Sequence, residues 1–151
     1  MLKPGDKAPA FALLSDGGDT IRLEDFRGRK VVLYFYPKDD TSGCTVEACE
    51  FRDHWAELQR TGAVVLGVSP DSVDSHRKFK QQHELPFPLL ADRDHAVAER
   101  YGTWGEKPMY GRKYRGILRT TFVIDEAGRI AKVFERVKPR SHASEVLEAL
   151  A

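Results

Sequence analysis

The sequence predicts an α/β protein with a mixed central sheet and helices on both faces. Three continuous apolar, β-rich runs indicate strands that are buried on both sides, at residues 31–36, 63–68 and 121–124. Apolar residues at helical spacing lie between the first two runs, and further helical segments follow them. This mixture of buried strands and intervening helices is typical of layered α/β domains.

The helices are predicted from the spacing of apolar residues and from residues that are typical of helix ends. Between the first two strands, apolar residues recur at spacings of three and four: Ala48, Phe51, Trp55 and Leu58. A second helix is predicted over residues 71–83, with Asp71 or Ser72 as its cap. Gly102 closes a third over residues 94–102, and the chain ends in a helix that begins near Ser141.

The remaining elements complete the order of the fold. Residues 10–23 indicate a small N-terminal hairpin, and a turn at residues 125–129 leads into a hairpin partner at residues 130–137. A thioredoxin-like fold matches this order best. Residues 102–118 have no clear period, so a long loop is predicted there, which is either a functional loop or a surface loop with a few packed aromatic residues.

Length and composition restrict the classes of protein. The 151 residues predict a single domain over residues 1–151 that buries a normal core. A formal net charge of +1 gives no global attraction to nucleic acid or to membranes. No apolar run has the length of a membrane span, and the N-terminus lacks a secretory signal. We therefore expect a cytoplasmic protein, in a compartment that keeps thiols reduced.

The only two cysteines, Cys44 and Cys49, lie five residues apart near the start of the first predicted helix. Cys44 falls in the first turn, where unpaired N–H groups and the helix dipole favour the thiolate. Thr41 lies three residues earlier, where its hydroxyl can hydrogen-bond at the same site. Pro37 ends the preceding strand and gives the loop a fixed surface without an N–H group.

The helical period separates the two thiols. Cys44 lies on the same face as the apolar residues of this helix and is predicted to face inward. Cys49 lies about 140° around the helix axis from Cys44 and is predicted to face outward. Their Cα atoms are roughly 8–9 Å apart in an intact helix. A disulfide spans at most about 7 Å, so the two cysteines cannot bond without backbone movement.

Four interpretations of this pair remain open at this point. A static structural disulfide would break the helix, and a metal site would need more ligands than His54, which lies far along the helix. Two unrelated core cysteines are the third possibility. The fourth is an inward, activated thiolate with a second thiol that reaches it only after a local rearrangement.

The segment PKDDTSGC carries a P-x-x-x-T-x-x-C signature and resembles the peroxiredoxins. GCTVEACEFRD is similar to their Q-type subfamily, also called bacterioferritin comigratory protein. The resemblance extends over almost the whole chain, through PGDKAPAF, GVSPDS and YGTWGEKPMYGRKYRGILRTTFVID. The subfamily commonly has proline where this chain has Ser42, which removes a rigid φ angle just before the helix.

The resemblance implies a thiol peroxidase for hydrogen peroxide and organic hydroperoxides, usually reduced by thioredoxin or by a glutaredoxin-type protein. It implies that Cys44 is the peroxidatic cysteine and Cys49 the resolving one. It further implies Thr41 as the hydroxyl partner, Pro37 as the shield of the pocket and Arg119 as the guanidinium beside the thiolate. No cofactor or metal is expected, and resolution within one chain favours a monomer.

Two other classes of function use the same residues. A redox sensor would use the same sulfur chemistry to signal, without the need to turn over. A thioredoxin-fold binding or chaperone module would carry incidental thiols with no reactivity toward peroxide. Several cations make the late loop basic, which indicates either a solvated loop or a surface that attracts an acidic reductant: Lys107, Arg112, Lys113, Arg115 and Arg119.

Overall fold

The structure, a computed structural model, describes residues 2–109 and 112–151. Its strands are β1 (Ala12–Ser15), β2 (Thr20–Arg22), β3 (Val31–Phe35), β4 (Val64–Ser69), β5 (Leu89–Ala91), β6 (Trp104–Met109), β7 (Arg112–Ile117), β8 (Thr120–Ile124) and β9 (Ile130–Phe134). Its helices are α1 (Ser42–Asp53), α2 (Trp55–Arg60), α3 (Val73–His83), α4 (Ala96–Arg100) and α5 (His142–Leu150), with a short 3₁₀ turn at Leu23–Phe26.

Seven strands form one mixed sheet in the order β2-β1-β5-β4-β3-β8-β9. β3 and β4 run parallel, as do β4 and β5, and β3 pairs antiparallel with β8. Every residue of β3 and of β8 is buried, which is what their continuous apolar sequences predict. The predicted mixed sheet and the N-terminal hairpin of β1 with β2 are both confirmed.

Helices cover both faces of the sheet, as predicted. On one face, α1, α2, α3 and α5 pack against alternate residues of β3 and β4 through a core that includes Phe51, Leu58 and Phe79. On the other face, α4 and the N-terminal segment pack against the remaining strand residues. The predicted cap at Ser72 is confirmed, because Ser72 Oγ accepts the Ser75 N–H at 3.1 Å. The predicted helix start near Ser141 is also found, but the Ser141 side chain makes no capping hydrogen bond.

The predicted helix between β3 and β4 is interrupted. The periodic residues 48–58 belong to two helices, α1 and α2, with His54 between them at φ −99° and ψ 14°. A ring nitrogen of His54 lies 2.9 Å from the Glu50 carbonyl oxygen, which also accepts the His54 N–H at 3.1 Å. Apolar spacing alone does not reveal such a local break.

The prediction of a long loop at residues 102–118 is wrong. Most of this segment forms the antiparallel strand pair of β6 with β7, and residues 110–111 between them lie outside the described residues. Gly105 and Gly116 are directly paired across the two strands, so the alternation that marks a strand is lost there. The three-residue strand β5 was also not predicted from the sequence. Among the described residues, no helix has the length and apolar character needed to cross a membrane.

Candidate active site

The first turn of α1 places Cys44 at the end of the sheet. The helix begins at Ser42 after Thr41, whose extended backbone makes it the N-cap residue, and Thr45 N–H bonds the Thr41 carbonyl at 2.8 Å. Cys44 is buried, with 2% of its surface exposed, whereas Cys49 is partly exposed. Both thiols are free. The predicted helix and the different exposure of the two thiols are therefore found in the structure.

Arg119 lies directly against Cys44. It immediately precedes β8, whose Thr120 pairs with Phe35 at the end of β3, so the antiparallel pairing brings Arg119 beside the loop that follows β3. Arg119 Nη2 donates to Cys44 Sγ at 3.2 Å. Burial opposes the charge of this guanidinium, but the neighbouring Glu47 and Cys44 raise its pKa. A permanent positive charge therefore faces the buried sulfur.

Glu47 is part of the same cluster, and sequence reasoning missed it. Its Oε1 accepts Arg119 Nη1 at 2.7 Å, and its side chain is fully buried. Burial raises the pKa of Glu47 to about 7, although Arg119 acts in the opposite direction. Its Oε2 has no hydrogen-bond partner among the described residues. The available signal was its place three residues after Cys44, on the inward face of the helix.

Thr41 and Pro37 lie in the loop that leads to Cys44. Thr41 Oγ1 donates to the Lys38 carbonyl at 2.9 Å, and no hydrogen bond joins it to Cys44 within the described part of the chain. The oxygen lone pairs of Thr41 stay available because this hydroxyl is exposed. Pro37 is partly buried, next to the end of β3. The roles of Thr41 and Pro37 therefore stay predictions, whereas Arg119 and Glu47 form a bonded chain with the sulfur.

The basic residues of the late segment are only partly placed. Lys107 Nζ donates to the Ile117 carbonyl at 2.9 Å, and burial and the nearby Arg119 lower the pKa of Lys107, with Cys44 opposing them. Arg115 is exposed. The side chains of Arg112 and Lys113 lie outside the described residues, so the predicted basic surface stays a prediction.

Comparison with known proteins assigns the family. The AhpC/TSA family profile matches residues 4–133. The chain is 53% identical over 149 residues to a putative peroxiredoxin bcp of Coxiella burnetii, which covers 99% of both chains. The peroxiredoxin Bcp of Escherichia coli K12 is 46% identical over 149 residues, or 99% of this chain and 96% of that protein. The chain belongs to the AhpC/TSA family.

Within that family, the solved structures identify the subfamily. The bacterioferritin comigratory protein of Xanthomonas campestris superposes with a TM-score of 0.91 at 38% identity, covering 98% of this chain and 97% of that one. A Cys-to-Ser mutant of Xylella fastidiosa PrxQ gives a TM-score of 0.94 at 36% identity, covering 99% and 96%. The predicted thioredoxin-like fold and the Q-type peroxiredoxin assignment are confirmed, and with them the prediction of a thiol peroxidase.

Proposed function

We propose that this peroxidase reduces hydrogen peroxide and organic hydroperoxides through a sulfenic acid at Cys44, an intramolecular Cys44–Cys49 disulfide, and reduction of that disulfide by thioredoxin. The observation that carries the proposal is the 3.2 Å contact of Arg119 Nη2 with Cys44 Sγ at the first turn of α1. A guanidinium and a helix N-terminus both favour the thiolate, which is the nucleophile.

In the first step, the Cys44 thiolate attacks one peroxide oxygen and the O–O bond breaks. The sulfur gains that oxygen, and the other oxygen leaves as water or alcohol after it takes up a proton. Negative charge moves from sulfur to the leaving oxygen during this step, so donors that face both atoms lower the barrier. Arg119 and the first N–H groups of α1 are in place for this, and we assign Thr41 the role of holding the peroxide hydroxyl.

Glu47 has an indirect role in this proposal. Its 2.7 Å contact holds Nη1 of the Arg119 guanidinium in place, while Nη2 of the same group faces the Cys44 sulfur. A planar guanidinium that is held at one nitrogen has little freedom at the other. Glu47 thus positions Arg119 and does not touch the peroxide. Pro37 is assigned the shielding of the sulfur from bulk water on the loop side.

In the second step, the Cys49 thiol condenses with the sulfenic acid and water is released. The intact α1 keeps the Cα atoms roughly 8–9 Å apart, so part of the helix has to unwind. The unwinding breaks contacts of α1 with its surroundings, including the 2.7 Å bond from Arg52 to the His83 carbonyl and the bond from Ser141 N–H to Glu50. These contacts, together with the core packing of Ala48 and Phe51, contribute to the cost of the step.

The substrates and the reductant complete the proposal. The solved Xanthomonas campestris protein is described by its alkyl peroxide reduction activity, which supports organic hydroperoxides as substrates here. A dithiol protein such as thioredoxin reduces the disulfide by exchange, with transfer of two electrons. We further propose that this single-domain chain acts as a cytoplasmic monomer, because resolution inside one chain requires no second copy.

The test is a coupled assay with thioredoxin, thioredoxin reductase and NADPH. We expect NADPH oxidation that depends on this protein, with both hydrogen peroxide and cumene hydroperoxide as substrates. A chain that is oxidised once by peroxide but never recycled would instead be a sensor. A reduced chain that consumes no peroxide at all would contradict the proposal altogether. Size-exclusion chromatography of the oxidised chain without reductant tests the monomer.

A further inference from the structure

The loop before Cys44 is anchored to α3 through one buried carboxylate. Asp39 Oδ1 accepts the Tyr36 hydroxyl at 2.6 Å. Asp39 Oδ2 accepts the Ser75 hydroxyl at 2.8 Å and lies 2.7 Å from His76 Nδ1. The side chains of Asp39 and His76 are 3% and 0% exposed, so water does not compete for these bonds. Two residues of α3 therefore hold the loop.

The backbone of the same residue is held as well. Asp39 N–H donates to Asp71 Oδ2 at 2.8 Å, and the Ser69 hydroxyl donates to the same oxygen at 2.6 Å. Ser69 ends β4 and Asp71 lies just before α3. Both the side chain and the main chain of Asp39 are thus fixed to the β4–α3 segment.

The hydrogen atoms in this network can be counted. His76 Nε2 lies 3.0 Å from the Leu90 carbonyl oxygen, which only accepts, so Nε2 carries a hydrogen. A second proton then has to lie between Nδ1 and Asp39 Oδ2, because two bare acceptors at 2.7 Å would repel. Ligand atoms of Asp39, Asp71 and His76 lie within 4.8 Å of one another, the spacing that a cation needs. This proton and the other hydrogen-bond donors to the two carboxylates already occupy the facing atoms of Asp39, Asp71 and His76. We therefore interpret this cluster as a hydrogen-bonded anchor of the loop.

The anchor lies close to the reactive sulfur along the chain. Asp39 precedes the N-cap residue Thr41 by two positions and Cys44 by five. Between the anchor and the helix, Asp40 adopts φ 60°, in the left-handed region that aspartate enters more readily than most residues other than glycine. Only this one residue separates Asp39 from the N-cap residue Thr41, so a movement of Asp39 passes directly to the first turn of α1. Release of the anchor therefore weakens the start of the helix.

We propose that His76 is a positioning residue that acts through Asp39 to set how often the first turns of α1 open. The consequence for the reaction rests on the proposed function. With the anchor intact, α1 is helical and Cys44 meets peroxide. When α1 opens, the sulfenic acid condenses with Cys49 and releases water. If α1 stays closed, a second peroxide oxidises the sulfenic acid to sulfinic acid and is itself reduced to water.

Two amide substitutions distinguish the contributions of the two ring nitrogens of His76, because each amide replaces only one of them. In His76→Asn, the side-chain amide occupies the place of Nδ1 and continues to donate to Asp39. In His76→Gln, the amide reaches the place of Nε2 and the donor to Asp39 is lost. Phe79→Leu, at a buried residue of the same helix, is the matched control, because it loosens the packing of α3 without removing a bond to Asp39.

The first measurement is hydrogen exchange in the reduced proteins, which requires no peroxide chemistry. We expect the amides of residues 45–51 to exchange on the order of tenfold faster in His76→Gln than in the wild type. In His76→Asn and Phe79→Leu the same amides should stay within about twofold of the wild type. Unchanged exchange in His76→Gln, or equal acceleration in all three variants, would overturn the proposal, because a merely structural role loosens α3 whatever the substitution.

The second measurement is the fate of Cys44 under a series of hydrogen peroxide concentrations, followed by mass spectrometry of the intact chain. The peroxide concentration that converts half of Cys44 to sulfinic acid should rise on the order of tenfold in His76→Gln. An unchanged concentration despite faster exchange would overturn the link to the reaction. If the wild type forms no disulfide, the proposed function fails, while the exchange comparison still decides whether His76 controls α1.

Discussion

Arg119 Nη2 lies 3.2 Å from Cys44 Sγ, although 75 residues separate the two in the sequence. The antiparallel pairing of β3 with β8 creates this contact, because it places the residue before Thr120 beside the loop that follows Phe35. The same guanidinium binds Glu47, so a sulfur, a cation and a carboxyl group form one buried chain. The predictions below separate the contributions of its members.

Replacement of Cys44 by serine is expected to abolish peroxidase turnover. A hydroxyl is a far poorer nucleophile than a thiolate near neutral pH. The matched control is Cys49→Ser, which keeps the reactive sulfur and should form a sulfenic acid with the first equivalent of peroxide without turning over. NADPH oxidation in the thioredoxin-coupled assay and mass spectrometry of the product check both variants. More than a trace of turnover in Cys44→Ser would contradict the assignment.

Arg119→Met is expected to slow attack on peroxide by about 10²–10³-fold, since a positioned donor to developing charge contributes about 3–4 kcal/mol. The substitution also leaves the Glu47 carboxyl buried without its cation, so a loss of stability is expected as well. The double variant Arg119→Met/Glu47→Gln removes that second effect. Stopped-flow rates that recover fully in the double variant would show that Arg119 acts on the fold and not on the sulfur.

The raised pKa of Glu47 predicts a pH dependence of stability. The folded pKa of about 7 lies above the ordinary value of 4.5, so between these pH values the folded state holds a proton that the unfolded state has released. Stability should therefore fall as the pH rises from about 4.5 to 7, by roughly 3 kcal/mol from this group. Urea unfolding across this range should show a slope that is reduced in Glu47→Gln. An equal slope in both proteins would contradict the assignment.

Gly43→Ala is expected to have opposite effects on helix stability and on catalysis. A Cβ atom at Gly43 would lie 3.3 Å from Arg119 Nη2 and 3.5 Å from Pro139 Cγ, so the guanidinium has to shift. Alanine otherwise favours a helix by about 0.4–1 kcal/mol over glycine. We expect a several-fold slower attack on peroxide with unchanged or raised thermal stability. Gly17→Ala, which lies in a surface turn away from Cys44, is the control for a general effect of the added methyl group.

The elements that could be predicted from the sequence share one physical property. In each of them, the local pattern of apolar and polar residues matches the burial of those residues in the structure. β3 and β8 are rich in apolar residues because both of their faces are covered, and Ser72 marks a helix start because its side chain caps the first turn of α3. The strand pair of β6 with β7 escaped prediction because its paired glycines, Gly105 and Gly116, remove the alternation.

The residues of the candidate site also fall into those that a local pattern predicts and those that depend on distant partners. Cys44 and Cys49 could be placed on opposite sides of a helix from the helical period alone. The position of Glu47 three residues after Cys44 could place it on the inward face, but its role could not be predicted, because its partner Arg119 lies 72 residues away in the sequence. Asp39 and His76, 37 residues apart, are the same case, since neither has a local signal. Contacts between distant residues were inferred only through the family resemblance.

The five-residue spacing of the cysteines leads to the last prediction. In the reduced chain both thiols are free in an intact helix, with Cys44 buried and Cys49 partly exposed, so peroxide meets a sulfur that no disulfide blocks. Formation of the disulfide requires the Cα atoms to approach from roughly 8–9 Å to less than about 7 Å, which an α-helix does not allow. We therefore expect the amides of residues 45–51 to lose protection from hydrogen exchange on oxidation.

The change should be local, because the strand pairing of the sheet does not depend on α1, although Ala48 and Phe51 of the helix lose core contacts when it unwinds. The bond from Arg52 to the His83 carbonyl and the Arg119–Glu47 pair break, while the pairing of β3 with β4 and β8 does not involve the helix. Amides of β4 and β8 should thus stay protected in both states, and Cys49→Ser treated with one equivalent of peroxide should keep α1 protected. Equal protection of α1 after an intramolecular disulfide has formed would contradict this account of the spacing. A disulfide that joins two chains would remove both the internal role of Cys49 and the preference for a monomer.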